Sequence, residues 1–211
     1  MKLKRTANAG VLLTLDGVSI LLDGVCREVK PYPATPPEEK ALLTACWPDV
    51  VAFTHAHKDH YDPAYAGCYK QQTGRAVLGP ASVKGSMMSI TVNGVSILPL
   101  PSRHIGAAGR GVPHMSFVIK GSKTVWFLGD AAPTQWRDSA VLPPPDLLIV
   151  PYAYANTESS WAFTKSFGAQ IVLLHMPDEA QDDIGLWAAV KNAVGQDALI
   201  IPDMSETIEI L

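Results

Sequence analysis

Three of the six histidines in this chain lie within six consecutive positions, in the segment His55-Ala56-His57-Lys58-Asp59-His60. Residues 49–54, just before this segment, are mostly apolar and predict a short buried strand. Side chains two positions apart in an extended chain point to the same side, so His55 and His57 can bind one ion together. Asp59 and His60 follow where the chain turns, and they point to a neighbouring position. Imidazole and carboxylate groups suit zinc, iron or manganese, so the segment favours two adjacent metal ions over one.

This motif resembles the signature of the metallo-β-lactamase superfamily, whose members are mostly dinuclear metal-dependent hydrolases. In that family the signature is followed by a further histidine, then an aspartate that usually ends a Gly-Asp strand, then a last histidine after another buried strand. The chain has a residue for each slot, in the same order: His104, Asp130 after Gly129, and His175 after residues 171–174. The resemblance spans nearly the whole chain, and within the superfamily it is loosely similar to the ascorbate-6-phosphate lactonase-like branch.

The resemblance implies a set of metal ligands and a fold. By similarity, seven residues would bind two ions: His55, His57 and His104 the first, Asp59, His60 and His175 the second, and Asp130 both. The implied fold is a four-layer αββα sandwich, of the α+β or α/β class, with the metals at the edge between the sheets. We expect one such domain over residues 1–211. Periodicity alone predicts only mixed sheets with helices outside.

Composition excludes several classes of protein. The chain has 211 residues, of which 47% are hydrophobic, which is enough for the core of one larger α/β domain. A net charge of −3 gives no reason to expect a nucleic-acid partner. No apolar stretch predicts a membrane span, and the apolar run after the first residues is too short for a secretory leader. Cys26, Cys46 and Cys68 are widely separated, so we predict reduced thiols in a cytoplasmic protein.

Hairpin and helix patterns alternate along the chain. Turn residues predict three hairpins, centred on Asp16-Gly17, Asn93-Gly94 and Gly121-Ser122. Helices are predicted over residues 36–47, 62–72, 158–167 and 182–194, the first of them capped by Thr35. Further buried strands are predicted over residues 146–150, 171–174, 198–201 and 206–210.

Two histidines compete for the third histidine slot of the first ion. His104 ends a strand and precedes a glycine-rich loop over residues 105–111, which is flexible enough to fold over a site. His114 opens the next strand. It is predicted to be a partly exposed strand-edge histidine with little effect on metal content, and its alternative role is to bind substrate or to orient a metal ligand. Lys58 and Arg103 are candidate substrate contacts for an anion, with solvated surface charge as the alternative.

Formal charge predicts the chemistry of such a site. Two divalent ions bring four positive charges, Asp59 and Asp130 remove two, and a bridging hydroxide removes a third, which leaves about one. A net positive site attracts an anionic substrate or an oxyanion. The family resemblance implies a hydrolase, and with this charge we predict that a metal-bridging hydroxide, oriented by Asp59, attacks an ester, lactone or phosphoester bond of a small anionic molecule.

The predicted cofactors are two divalent metal ions, zinc first, with manganese or iron(II) as alternatives. Neither a nucleic acid nor a membrane is predicted as a partner. Two other functions fit the same residues. A non-catalytic metal-binding or regulatory protein could keep this fold, and a diiron centre could carry out redox chemistry.

Overall fold

The chain folds into two β-sheets with α-helices on their outer faces. The structure is a computed structural model that describes residues 1–107, 109–200, 203–204 and 206–210, with the backbone alone for residues 137–140. Within these residues, no helix is long and apolar enough to cross a membrane.

The first sheet contains strands from both ends of the chain. They are β1 (Lys2–Arg5), β2 (Val11–Leu15), β3 (Val18–Leu22), β4 (Val50–Ala52), β5 (Val77–Leu78) and β13 (Thr207–Glu209). Their order in the sheet is β13-β1-β2-β3-β4-β5. The pairs β1–β2 and β2–β3 are antiparallel, whereas β3, β4 and β5 are parallel to one another.

The second sheet contains the middle and later strands. They are β6 (Ile90–Val92), β7 (Val95–Arg103), β8 (Pro113–Lys120), β9 (Thr124–Phe127), β10 (Leu147–Pro151), β11 (Gln170–Leu174) and β12 (Leu199–Ile200). Their order is β12-β11-β10-β9-β8-β7-β6. Strands β6 to β9 pair antiparallel, and β9 to β12 pair parallel. As a result β7, β9 and β11 run in the same direction.

Three apolar clusters define the layers. The central cluster lies between the sheets, where Leu13 and Ile20 of the first sheet share a core with Phe117 and Ile149 of the second. Alternate residues of each strand face this core, as expected for strands of period two. The two other clusters lie on the outer faces of the sheets.

The α-helices cover those outer faces. The helices are α1 (Pro37–Ala45), α2 (Pro63–Thr73), α3 (Glu158–Lys165) and α4 (Leu186–Val194), with short 3₁₀ segments at Ala81–Val83, Pro133–Val141, Tyr152–Ala155 and Glu179–Gln181. Leu43 of α1 and Tyr65 of α2 pack on the first sheet, whereas Trp161 of α3 and Trp187 of α4 pack on the second. The predicted four-layer αββα sandwich is confirmed, and its extent as one domain stays a prediction.

The three predicted hairpins are confirmed, but two helix starts are wrong. Thr35 does not cap α1, because its Oγ1 accepts a hydrogen bond from the Cys26 backbone N–H at 2.9 Å. Helix α4 begins at Leu186 instead of Asp182, since the Asp182 carboxylate accepts from the Leu186 and Trp187 backbone N–H groups, at 2.8 Å each. Strands β1 and β5 were not predicted, and position 201 of the predicted strand 198–201 lies outside the described residues.

Candidate metal centre

The candidate ligands lie at one edge of the sandwich. Strands β3 and β4 are parallel in the first sheet, and β7, β9 and β11 share a direction in the second. An acidic or histidine side chain follows each of these strands within three residues: Asp23, His55, His104, Asp130 and His175. The sheets therefore act as a rigid scaffold for side chains on the loops that follow them.

All six histidines of the chain meet at this edge. His55 is central, since its ring centroid lies 4.1–5.0 Å from those of four others: His57, His60, His104 and His114. His175 completes the set, with its ring centroid 4.7 Å from that of His60. The local motif and the distant histidines thus form one cluster.

Three groups of three side chains within this cluster could each hold an ion, since one ligand atom per residue lies within 4.8 Å of the others. Two groups consist of predicted ligands: His55, His57 and His104, and Asp59, His60 and His175. The third group contains Asp23, His55 and His60. Asp130 lies between the two groups of predicted ligands. One of its oxygens is 3.3 Å from His60 Nε2 and 3.6 Å from His104 Nε2, and the other is 3.0 Å from His175 Nδ1. All seven residues predicted as ligands are brought together, and their binding of metal stays a prediction.

Hydrogen bonds assign the protonated nitrogen of two of these histidines. His60 Nδ1 lies 2.8 Å from an Asp23 carboxylate oxygen, and His104 Nδ1 lies 2.7 Å from the Ile105 carbonyl oxygen. A carbonyl oxygen only accepts, and so does a carboxylate in its ionised form, so with Asp23 ionised each imidazole donates from Nδ1. In the neutral form of each ring, Nε2 then presents a lone pair.

The same reasoning applies to His55 through one intermediate hydroxyl. The Thr54 hydroxyl donates its single hydrogen to Asp23 Oδ2, at 2.6 Å. It must therefore accept at its contact with His55 Nδ1, which is 2.9 Å away. His55 also donates from Nδ1 and presents a lone pair on Nε2.

The donor set fits divalent metal ions. The Nε2 atoms of His55, His60 and His104 are buried, and none has a hydrogen-bond partner among the described residues. Unpaired buried acceptors are costly unless something compensates them, and converging lone pairs repel each other. A cation would satisfy them together, and an Nδ1–H bound to a second-layer acceptor is the usual arrangement of a metal-binding histidine.

Sequence reasoning missed Asp23. This carboxylate is fully buried, and besides His60 and the Thr54 hydroxyl it accepts the Thr54 backbone N–H at 2.7 Å. It therefore orients His60 directly and His55 through Thr54. The sequence does contain a pattern that could have identified Asp23. This residue follows the apolar strand β3 and precedes Gly24, and Asp130 likewise follows an apolar strand. Its oxygens face three donors, so its role is to position ligands.

We expect Asp23→Asn to lower metal affinity by about 10–100-fold, although all seven predicted ligands remain. The new amide cannot accept all three donors, so His60 and His55 lose their orientation. Competition with a chromophoric chelator measures the affinity. Asp62→Asn is the matched control, since Asp62 is a buried aspartate that caps α2 and belongs to none of the groups of candidate ligands. Equal affinities in the two variants would contradict the positioning role.

Comparison with known proteins establishes the fold. No protein-family model matches the sequence, and no curated protein matches it. A solved structure described as a possible metal-dependent hydrolase, from Veillonella parvula, superposes with a TM-score of 0.73 at 18% identity, over 100% of this chain and 99% of that chain. The metallo-β-lactamase fold protein YhfI from Bacillus subtilis superposes with a TM-score of 0.62 at 20% identity, over 99% of both chains. This chain has the metallo-β-lactamase fold.

The fold is shared by proteins of different chemistry. CmlA, a diiron β-hydroxylase from Streptomyces venezuelae, superposes with a TM-score of 0.61 at 14% identity, over 99% of this chain and 54% of that chain. A metallo-β-lactamase fold by itself therefore does not decide the reaction. The predicted superfamily fold is confirmed, and the likeness to the ascorbate-6-phosphate lactonase-like branch stays a prediction.

Two backbone conformations allow the metallo-β-lactamase fold to place Asp130 and His175. Gly129 has φ +52°, and a Cβ atom there would lie 2.6 Å from Thr54 Cγ2, so glycine is required before Asp130. His175 has φ +65°, a conformation that a non-glycine residue adopts at a cost of about 1–3 kcal/mol. Its backbone N–H donates to the Asn8 carbonyl at 3.2 Å. Strain of this kind is typical of functional positions.

Charges in the site favour a bound cation. Burial alone would raise the pKa of Asp130, but the adjacent His175 and His60 imidazoles outweigh it and hold that pKa well below its usual range. Burial likewise opposes a charge on His60, yet Asp130 and Asp23 raise its pKa well above the ordinary value. The positions between the carboxylates therefore bind positive charge strongly.

The structure contradicts one prediction about exposure. His114 is 4% exposed, so it is not a partly exposed strand-edge residue. The reason is that β8 pairs with β7 on one side and β9 on the other, while its Met115 N–H donates to the Thr54 carbonyl at 2.8 Å. Burial lowers the pKa of His114 to about 3, which keeps its ring neutral.

Lys58 and Arg103 are exposed. Exposure is expected both for contacts to an anionic substrate and for solvated surface charges, so these two predictions stay open.

Proposed function

We propose that this protein is a hydrolase that binds two divalent metal ions, with zinc as the first candidate and manganese or iron(II) as alternatives. The observation that carries the proposal is the position of the buried, unpartnered Nε2 atoms of His60 and His104, which lie 3.3 and 3.6 Å from one Asp130 oxygen, between the two groups of candidate ligands. Similarity to the structure from Veillonella parvula that is described as a possible metal-dependent hydrolase supports the reaction class.

Bound divalent ions would supply a hydroxide at neutral pH and polarise the bond under attack. The protein side chains would position the ions and the nucleophile. Asp130 lies between the two ligand groups and would set their separation. Asp59 Oδ2 lies 3.0 Å from His175 Nε2, within the second group, where the Asp59 carboxylate could accept a hydrogen bond from the nucleophile and orient it.

A cavity next to the site supports an anionic substrate. It has a volume of about 390 Å³ and is lined by Arg103, His104, Gly106, Ala107, Arg110, Gly111 and Ala132. Among the described residues, two arginines and no carboxylate line this space, which also includes the candidate ligand His104. We propose that a carboxylate or phosphate of a small ester, lactone or phosphoester binds here, since arginine pairs with such groups in a bidentate manner. Lys58, exposed in the motif loop, is a further candidate contact.

Redox chemistry at a diiron centre is the second candidate function. The likeness to CmlA favours it, because that protein is a diiron β-hydroxylase. Iron-loaded protein distinguishes the two functions. Visible absorption from an oxo-bridged iron pair would favour redox chemistry, whereas hydrolysis supported by zinc, which has no redox chemistry, would favour the hydrolase.

The proposed hydrolase is tested by elemental analysis of the purified protein, followed by a screen over lactone, ester, thioester, lactam and phosphodiester substrates. Activity with at least one class, lost when a chelator removes all metal and restored by zinc, would support the proposal. A metal-loaded protein that is inactive in the whole screen would favour the non-catalytic alternative.

We also propose a cytoplasmic location, consistent with the free thiols of Cys26, Cys46 and Cys68.

We expect activity and metal affinity to fall together as the pH is lowered. A histidine must be deprotonated to bind metal. Nearby carboxylates raise the pKa of His60 and of His175 despite their burial, so protons compete for these ligands at a higher pH than for an ordinary histidine. Affinity should therefore rise with pH and level off on the alkaline side. Chelator competition across mildly acidic to alkaline pH measures this, and a flat profile would contradict it.

A further inference from the structure

The glycine-rich loop over residues 105–111 is held against the site by few hydrogen bonds. Ile105 ties the start of the loop to the site, since its backbone N–H donates to the Asp130 carbonyl at 2.7 Å. Beyond Ile105, the backbone hydrogen bonds of the described residues connect the loop only to itself and to Val112, which follows it, at 3.1–3.2 Å. Packing must therefore hold the rest of the loop in place.

Gly109 packs directly on the imidazole of His104. It is buried, whereas the described residues around it, 106–107 and 110–111, are exposed. A Cβ atom at Gly109 would lie 2.0 Å from His104 Nδ1, and its three nearest neighbours would all be atoms of the His104 side chain. Non-bonded heavy atoms normally stay about 3.5–4.0 Å apart, so the contact requires a residue without a side chain.

His104 is the fixed partner in this contact. Its Nδ1 donates to the Ile105 carbonyl at 2.7 Å, and its backbone forms an antiparallel bridge with Ala131. Its ring centroid lies 4.8 Å from that of His55 and 4.9 Å from that of His57. A methyl group inserted between the loop and this ring would therefore displace the loop.

The loop carries Arg110 to the cavity proposed for the anion. Arg110 and His104 line the same space of about 390 Å³. The second arginine of the cavity, Arg103, is held independently of the loop, because its Nη2 donates to the Thr134 hydroxyl at 3.0 Å. No hydrogen bond or ion pair to another described residue holds the Arg110 side chain, so its position depends on the loop.

We propose that Gly109 is a positioning residue for substrate binding. Its bare backbone docks the loop on His104 and so holds Arg110 at the cavity, where the guanidinium binds the carboxylate or phosphate of the substrate. Gly109 does not touch the substrate and acts through Arg110. This inference rests on the proposed anion-binding cavity of the hydrolase.

A double-mutant cycle tests the proposal, with inorganic phosphate titrated calorimetrically into the zinc-loaded protein. We expect Gly109→Ala and Arg110→Gln each to weaken phosphate binding at least about fivefold, since both remove a charged hydrogen-bond donor from the cavity. The double variant should bind phosphate within about twofold of Arg110→Gln, because Gly109 has no further effect once Arg110 is gone. Zinc content should stay at the wild-type level in all three variants.

Gly67→Ala is the matched control for the glycine substitution. Gly67 lies on α2, and a Cβ atom there would meet no atom within 4 Å. Its phosphate affinity should stay within about twofold of the wild type.

Trypsin cleavage after Arg110 reports the state of the loop without any anion. We expect cleavage of Gly109→Ala to be at least about fivefold faster than that of the wild type, because an undocked loop opens more often. Rates are normalised to free peptides of the two sequences. His104→Ala removes the surface on which Gly109 packs, so it should be cleaved faster than the metal-free wild type by a similar factor. This variant serves as the test if Gly109→Ala does not fold.

Three results would each overturn the role of Gly109: a phosphate affinity of Gly109→Ala equal to that of the wild type, additive losses in the double variant, or unchanged trypsin cleavage. A wild-type protein that loads zinc but binds no phosphate would overturn the anion-binding cavity. A wild-type protein that binds no zinc would instead overturn the proposed metal centre.

Discussion

Asp130→Asn should lower turnover by at least about 100-fold and weaken binding of the second ion. Asparagine keeps the shape of the side chain but loses the charge that offsets repulsion between two cations about 3.5–4 Å apart. A 100-fold loss corresponds to ~2.7 kcal/mol of transition-state stabilisation. Steady-state kinetics and metal stoichiometry measure the two effects.

The thermal stability of the metal-free protein should change little in Asp130→Asn. Strand β9, which precedes Asp130, is anchored on both faces: Val125 and Phe127 lie in the central core, and Trp126 lies in the outer core. The matched control is Asp146→Asn, since the Asp146 carboxylate binds the Thr124 N–H at the other end of the same strand. If Asp130→Asn turned over at the wild-type rate, or if both variants lost activity equally, the bridging role would be wrong.

The second large effect concerns metal content. We expect the wild-type protein to bind two ions per chain, and the double variant His57→Ala/His60→Ala to bind none. The double variant removes one imidazole from each group of three, so neither ion keeps its full set of protein ligands. Elemental analysis after dialysis against excess zinc, with circular dichroism to verify folding, measures this outcome.

The control for the double variant is Lys58→Ala. Lys58 lies between the two replaced residues in the motif loop, but it is exposed and belongs to neither ligand group. It should retain two ions. One ion or none in the zinc-loaded wild type would refute the dinuclear centre, and two ions in the double variant would show that other residues bind the metal.

Much of the fold followed from local patterns. The hairpins at Asp16-Gly17 and Asn93-Gly94 are determined by turn residues between strands of apolar periodicity, which need no distant partner. Helix α2 likewise begins where Asp62 precedes a proline, a start signal contained in a few residues. By contrast, Thr35 resembles a helix cap in sequence, but in the folded chain its hydroxyl binds the backbone of Cys26.

The sequence alone predicts a metal-binding motif after a buried strand, and it shows which histidines and aspartates follow later strands. The residues that hold these side chains in place are visible only in the folded structure. Asp23 lies 37 positions before His60, yet its carboxylate is hydrogen-bonded to the His60 ring. Ser102 lies 12 positions before His114, and its hydroxyl is hydrogen-bonded to the His114 ring. Such contacts depend on how the strands pair and how the two sheets pack. Spacing along the chain records periodicity within one element, but not which side chains meet when two elements come together.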